Sequence, residues 1–428
     1  MKKYKFNELP YFWGLISDVE AENILKPMDV GTFLLRSTCI NRVHKLILSF
    51  VTVIKKSHKQ KHNTIAELVS YYQEHTITNG HKLATYKQRP SWFIKTTDVK
   101  IPANARQLGS GNFSVVVLGR YKDKYVAVKN LLGSEDHLMK AKEDLYKEGK
   151  VMSKLKHPYI IKFYGIALDN LPPLIAMELM ADGLLTHLKA HGSTMSIGEK
   201  LLLCWQLCKA LEYMAEKKLV HRDLAARNCL ISKYGILKLT DFGLSDYEAA
   251  LFAYCTILDQ MPVRWMAPET ILPTATFNER TDVWSFAVVC NEIFDNGNPP
   301  LKNMDTNDII EALKKYDDST SLHVPAAGTP MEIIDMEKRC WKASNSARPM
   351  FAELVIMCDM LLKNKYPPPE IEESSMKKVN KVKPLTIYEY EIMEEYELDS
   401  DADSEEESFP IKRRGTRKSK RSDRLRIM

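Results

Sequence analysis

At 428 residues the chain is about two to three domains long at the usual ~150 residues per domain, well beyond a disulfide-stapled mini-protein. Hydrophobic content of 45% and charged content of 27%, with 17 Gly and 20 Pro, exclude a wholly disordered or a fibrous chain. The formal charge of +6 conceals a segregation: residues 367–428 hold 13 Lys and Arg against 15 Asp and Glu, so this tail stands at −2 and the remainder at +8.

The first residues, MKKYKFNELP, lack the apolar core of a signal peptide, and Lys2 stands where myristoylation needs glycine. Eight Cys without paired spacing suit a reducing compartment, and no apolar run approaches the roughly 18 residues of a membrane span. A soluble cytoplasmic protein is expected. The segments WGLISDVEAENIL (13–25), GTFLLRST (31–38), LILSF (46–50) and NTIAELVSYYQEH (63–75) then follow in order. This succession over residues 11–90 resembles an SH2 domain: opening strand and first helix, central strand, next strand, second helix. The resemblance implies that Arg36 grips phosphotyrosine through a bidentate guanidinium, that Ser37 and Thr38 add hydroxyl donors, and that phosphotyrosine proteins are partners. Asp18 departs from the pattern, because it occupies a helix position where arginine often gives a second phosphate contact, and a carboxylate there repels phosphate. Only 12 residues, VTVIKKSHKQKH, separate LILSF from NTIAELV, so the module is shortened. Weakened or altered phosphotyrosine affinity is therefore expected.

Residues 91–101 form a linker within QRPSWFIKTTDVKIP (88–102), which carries two prolines and no helical period. Period-two alternation predicts strands in GNFSVVVLGRY and KYVAVKNL, a helical stretch runs from about 135 to 155, and PLIAMELM reads as a short buried strand. From 197 onward helices dominate: in GEKLLLCWQLCKALEYMAEKK, the residues Leu203, Leu207, Ala210, Leu211 and Met214 share one face. A strand-rich lobe followed by a helix-rich lobe is an α+β arrangement with a natural cleft between its halves. The i,i+4 pairs Cys204/Cys208 and His187/His191 have no converging ligands in the sequence and read as core cysteines and solvated histidines.

In LGSGNFSVV (108–116) two glycines between strands allow backbone N–H groups to approach phosphates. VAVK (126–129), HRDLAARN (221–228), DFG (241–243) and APE (267–269) follow in that order. Together these motifs resemble the eukaryotic protein kinase family over residues 102–362. The resemblance implies ATP and Mg²⁺, or Mn²⁺, as cofactors and a two-lobed fold. Its ATP-binding residues would be Leu108, Gly109, Ser110, Gly111, Asn112, Phe113, Ser114, Val115 and Val116 in the loop, Ala127 and Lys129 on the next strand, and Met177, Glu178 and Met180 before and at the hinge. Lys129 would hold the α and β phosphates and pair with Glu148. Asp223 would orient the substrate hydroxyl, with Asn228 and Asp241 as metal ligands. Glu269 and Arg348 would form a supporting ion pair, and Asp282 would brace the catalytic loop. Ser114 replaces the third loop glycine of the family pattern.

Two motifs bear on which hydroxyl is phosphorylated. Ala225 stands where serine/threonine kinases carry lysine, and the compensating cation is Arg227, in a D-L-A-A-R-N pattern like that of cytoplasmic tyrosine kinases. PVRWMAPE (262–269), with Pro262 and Trp265, resembles the segment that keeps a phenol at the right distance from the base. Protein substrates bearing tyrosine are thus the expected partners, with a catalytically weak or inactive SH2-kinase scaffold or adaptor protein as the alternative. Tyr247 and Tyr254 lie between DFG and APE and are candidate autophosphorylation sites, Tyr254 by pairing its phosphate with Arg222. The order SH2 module, short linker with Trp92 and tyrosine kinase, without an SH3 module, resembles the Fes/Fer-type non-receptor kinases.

The tail at 367–428 follows PPPEIEES and is expected to be disordered, acidic through 389–407 and basic through 412–426. Tyr388, Tyr390 and Tyr396 in its acidic part are candidate phosphorylation sites. The basic end is a candidate for contact with the inner face of the plasma membrane or for nuclear entry, and no nucleic-acid partner is expected.

Overall fold

The computed structural model describes residues 9–40, 43–50, 65–76, 82–110, 114–243, 245–247, 262–271, 275–320 and 322–368. Gly111, Asn112, Phe113, Tyr254, the tail tyrosines and the tail beyond Pro368 lie outside the described residues, as do the side chains of Thr38 and Tyr247. The chain divides into two compact units: one takes the residues through Gly149 together with Phe163–Met177, the other Lys150–Lys162 and the described residues from Glu178 onward.

The first unit opens with helix α1 (Asp18–Leu25). Ser17 caps it by accepting from Glu20 N at 3.2 Å, while the Glu20 carboxylate accepts from Ser17 N at 3.0 Å. Such a reciprocal cap fixes where the helix begins and is worth about 1 kcal/mol. Strands β1 (Phe33–Ile40) and β2 (Val43–Phe50) pair antiparallel, with Leu35 opposite Leu48 and Arg36 opposite Ile47. The expected opening strand is reduced to one parallel bridge, Phe12 to Leu35, because Tyr11 O and Trp13 N exchange hydrogen bonds only with Leu35. Helix α2 (Ile65–Glu74) closes a core of Phe12, Phe33, Leu35, Leu48, Leu68 and Tyr72. Each large side chain buried there contributes roughly 1.5–3 kcal/mol.

The linker does not stay outside the next layer. Val99–Lys100 (β3) pairs with Arg120 and Tyr121 of β5 (Ser114–Tyr121), so the sheet starts before the first glycine-loop residue. The six-stranded sheet runs β3-β5-β6-β8-β7, with β4 (Gln107–Ser110) also on β5; β6 is Lys124–Leu131, β7 Phe163–Ala167 and β8 Leu174–Glu178. Val126, Val128, Leu174 and Ala176 fill its core with Ile94 and Val99 of the linker. Helix α3 (Glu135–Met152) accounts for the helical stretch read from the sequence.

The second unit is mostly helical. After β9 (Asp182–Gly183) and α4 (Leu184–His191) comes α5 (Ile197–Glu216), capped by Ser196 and Glu199. The face named from its periodicity is the buried one: Leu203, Leu207, Ala210, Leu211 and Met214 are each 3% exposed or less. Against it pack α6 (Glu279–Phe294) and α9 (Phe351–Asn364); α7 (Thr306–Lys314) lies against the Val263–Trp265 turn, and α8 (Met331–Cys340) packs on α6. Cys204 and Cys208 are free and buried, whereas His187 is buried against its helix rather than solvated, and that burial lowers its pKa. No helix among the described residues is long and apolar enough to cross a membrane.

Candidate active site

In the first unit, antiparallel pairing of β5 with β6 puts Lys129 opposite Val116, near the start of β5 where that strand follows the glycine loop. Its ammonium donates to both carboxylate oxygens of Glu148 at 3.0 Å, and Glu148 is buried at 5% exposure on α3. Without its cation a carboxylate so buried is costly, so the pair holds α3 and the sheet in one arrangement. Gly109 sits at an irregularity in the β4–β5 register, and a Cβ there would meet no atom within 4 Å. Among the described residues the space beside Gly109 is therefore open, which suits close approach of a phosphate-bearing group. Ala127 and Met177 are buried, and Ser114, Val115 and Val116 are half-buried at the start of β5.

In the second unit, His221–Asn228 lies between β10 (Leu219–Val220) and β11 (Cys229–Ile231), and Asp241 follows β12 (Leu237–Leu239). Strands β11 and β12 pair antiparallel, and Thr240 N donates to Asn228 O at 3.0 Å, so Asn228 and Asp241 leave from adjacent chain ends. Asn228 Nδ2 donates to the Asp223 carbonyl at 2.7 Å and to its Oδ2 at 2.8 Å. That leaves the amide oxygen of Asn228, with the half-buried Asp241, as a pair of hard oxygen donors suited to Mg²⁺. Asp241 has φ +62° and Arg222 φ +71°. These left-handed conformations are disfavoured for side chains other than Gly, Asn and Asp, and in Arg222 the strain is held by its surroundings. Its N–H and that of His221 donate to Asp282 at 3.0 and 2.6 Å, the bracing expected of Asp282. Burial pushes the Asp282 carboxyl up to about 7, against the pull of those two N–H groups. Phe242 is fully buried, edge-on to the His221 ring at 5.3 Å.

Arg227 donates to Asp223 Oδ1 at 2.6 Å, and its guanidinium lies 4.4 Å from the centre of the Trp265 ring. Trp265 is itself fixed: its Nε1 donates to Glu292 Oε2 at 2.8 Å, and the same oxygen accepts from Ala226 N at 3.0 Å. One buried carboxylate thus ties the catalytic loop to the P-V-R-W turn and positions the cation beside Asp223. The sequence reading missed Glu292, although a lone acidic residue inside the apolar run VVCNEIF was a usable signal. Arg264 anchors the turn from the other side by donating to the carbonyls of Pro300 at 3.1 Å and Met304 at 2.8 Å.

Glu269 and Arg348 form the expected pair, bidentate at 2.7 and 2.9 Å, with the Arg348 side chain wholly buried. At the hinge the Glu178 carboxylate accepts from Lys238 at 2.7–2.8 Å and from Lys162 N at 3.1 Å. Its side chain is therefore engaged within the protein, and what it offers a nucleotide is its backbone. Met180 is half-buried in the following turn.

Arg36 is buried on β1, where Nε donates to Ser49 Oγ at 3.1 Å, NH1 to Ile16 O at 3.4 Å and NH2 to the Asp18 carboxylate. Ser49 is the hydroxyl on Arg36. Ser37 is not, since strand alternation turns it to the opposite face, and its backbone N–H donates to Gly14 O at 2.8 Å.

A family model described as protein tyrosine and serine/threonine kinase matches residues 103–357. The chain is 28% identical over 335 residues to the cytoplasmic tyrosine-protein kinase BMX of Mus musculus, across 76% of this chain and 50% of that protein. It is 33% identical over 266 residues to the tyrosine-protein kinase TXK of Homo sapiens, across 62% of this chain and 48% of that protein. With the megakaryocyte-associated tyrosine-protein kinase of Mus musculus it shares 30% identity over 377 residues, 82% of this chain and 71% of that one. The chain spans about half the length of the BMX and TXK relatives. A catalytic loop whose cation stacks on the tryptophan of the P-V-R-W turn agrees with these matches: the chain belongs to the protein tyrosine kinase family.

Proposed function

We propose that this chain is an active non-receptor kinase that transfers the γ-phosphoryl group of ATP to tyrosine in proteins. The observation that carries the reading is the Arg227–Asp223 pair at 2.6 Å with Arg227 stacked 4.4 Å from Trp265. Asp223 accepts the proton of the tyrosine hydroxyl as the phenolic oxygen bonds to the γ-phosphorus and the bond to the bridging oxygen breaks. Arg227 keeps Asp223 pointed at that hydroxyl by donating to its Oδ1, a role that lysine fills from another position when the acceptor is shorter. Lys129, held by Glu148, is assigned to the α and β phosphates, and Leu108 through Val116, Ala127, Met177, Glu178 and Met180 are assigned to nucleotide binding. Asn228 and Asp241 would hold Mg²⁺, which when bound would supply positive charge to the transferring phosphoryl group.

The fit of Asn228, Asp241, Lys129 and Glu148 to their roles weighs against an inactive scaffold. ATP-dependent labelling of a tyrosine copolymer, lost in Asp223→Asn, is the expected result. Labelling unchanged by that substitution would overturn the assignment of the base, and phosphoserine as the main product on a protein substrate carrying both serine and tyrosine would overturn the choice of hydroxyl.

Residues 11–90 are proposed as an SH2-type docking module centred on Arg36, 91–101 as linker, 102–362 as the kinase and 367–428 as a tail. The Fes/Fer resemblance rests on module order alone; the BMX and TXK relatives favour placing the chain with those tyrosine-protein kinases. A cytoplasmic location is proposed from the name of the BMX relative, with membrane contact or nuclear entry left to the basic end of the tail.

A further inference from the structure

Arg36 is buried and Asp18 is its opposite: the Asp18 side chain is 84% exposed, yet its carboxylate pairs with Arg36 NH2. The Nε and NH1 groups of the guanidinium are already directed to Ser49 Oγ and Ile16 O. The nitrogen at the tip, the one an incoming anion must reach, carries a carboxylate belonging to the chain itself. Asp18 is the first residue of α1, and the Ser17–Glu20 cap fixes the backbone on which it stands, so it is delivered to Arg36 by local structure.

Resting on the reading of residues 11–90 as a phosphotyrosine module, we propose that Asp18 is a built-in competitor for that site. It occupies the arginine fork in place of phosphate and sets the affinity for phosphotyrosyl ligands. Two effects act in the same direction. A bidentate phosphate needs the NH2 group that Asp18 holds, so only the fraction of molecules with Asp18 turned away is competent, and apparent affinity falls by that fraction. When the ligand has bound, a carboxylate about 4 Å from a dianion costs affinity about fivefold per unit of like charge, even at the dielectric of water. Because Asp18 is exposed, it can turn into solvent without breaking the core. The site is therefore weakened by its occupant and remains intact beneath it.

The test is titration of the full chain with a degenerate phosphotyrosyl peptide pool, and with phenyl phosphate as a sequence-free probe, for wild type, Asp18→Asn, Asp18→Ala, Arg36→Ala and Arg36→Ala/Asp18→Asn. Thermal melts report whether each variant is folded. Both Asp18 variants are expected to bind at least about tenfold more tightly than wild type, and both Arg36 variants to lose binding. If Arg36→Ala removes binding while the Asp18 variants bind no better than wild type, the competitor is overturned and the docking module stands. Binding that survives Arg36→Ala, or that is absent from wild type and the Asp18 variants alike, overturns the module and the competitor with it.

Discussion

Arg227 is held by two contacts of different kinds, and they separate its charge from its shape. The charge acts on Asp223 Oδ1 at 2.6 Å, while the flat guanidinium lies against Trp265 at 4.4 Å. Lysine keeps the first and forfeits the second, because a compact ammenium-type charge on a flexible stem has neither plane nor fork. Arg227→Lys is accordingly expected to lower kcat about tenfold and Arg227→Ala about a hundredfold, with the melting temperature nearly unchanged because the side chain is 38% exposed. Steady-state kinetics on a tyrosine peptide beside thermal melts check both parts. Equal kcat in wild type and the lysine variant would show that the stack contributes nothing. At Arg36 the same distinction appears in another form: the charge is present, but its tip is already paired with Asp18.

At the scale of elements, the linker is part of what positions α3. Trp92 meets Phe93 at 4.6 Å and Tyr146 at 6.0 Å between ring centres, and its carbonyl accepts from Ile166 N at 2.9 Å. Tyr146 lies two residues before Glu148, and its buried hydroxyl is pushed up to about 12 by burial, with Glu20 adding to the shift. Trp92→Ala is expected to cost about 2 kcal/mol of local stability and to lower amide-exchange protection along α3 together with kinase activity. Unaltered exchange in α3 would remove the linker from this role. Trp92 was legible in the sequence only as a linker residue, because nothing in local periodicity says that an aromatic ring between prolines will pack on a helix about 55 residues later. By contrast the α5 face, the β5–β6 hairpin and the Lys129–Glu148 pair were legible, since each is fixed by local pattern or by a motif. Ser49 was not, and of Glu292 only its burial was, because the partners of both are set by tertiary packing. The second unit has its own brace in the Glu269–Arg348 pair. Arg348→Ala leaves Glu269 without its bidentate partner and is expected to destabilise that unit by about 3–5 kcal/mol, read as a lower denaturation midpoint.

For the whole molecule, the helical unit carries titratable groups whose burial sets how stability depends on pH. Glu337 on α8 is wholly buried, neither carboxylate oxygen has a hydrogen-bond partner among the described residues, and burial pushes its pKa up to about 8. His323, stacked on Trp341 at 4.9 Å, is held neutral with its pKa pushed down to about 3. The signs follow from which state holds the proton. Folded Glu337 keeps its proton where the unfolded chain has lost it, so its contribution is full below about 4.5 and is lost as pH rises through about 8. His323 does the reverse: unfolded chain takes up a proton below about 6.5, so stability is lost as pH falls from there toward about 3. Asp282, raised to about 7, follows the sign of Glu337 but completes its loss one pH unit earlier. Substituting Glu337 alone separates its share of this slope from that of Asp282. Replacing its ionisable oxygen in Glu337→Gln, at nearly constant volume, is expected to raise the melting temperature of the helical unit by several degrees at pH 8, and to leave it nearly unchanged at pH 4.5. Calorimetry of both proteins across that range decides it: a gain of equal size at both pH values would mean that the substitution improves packing, and that the buried carboxyl is not what tilts stability toward lower pH.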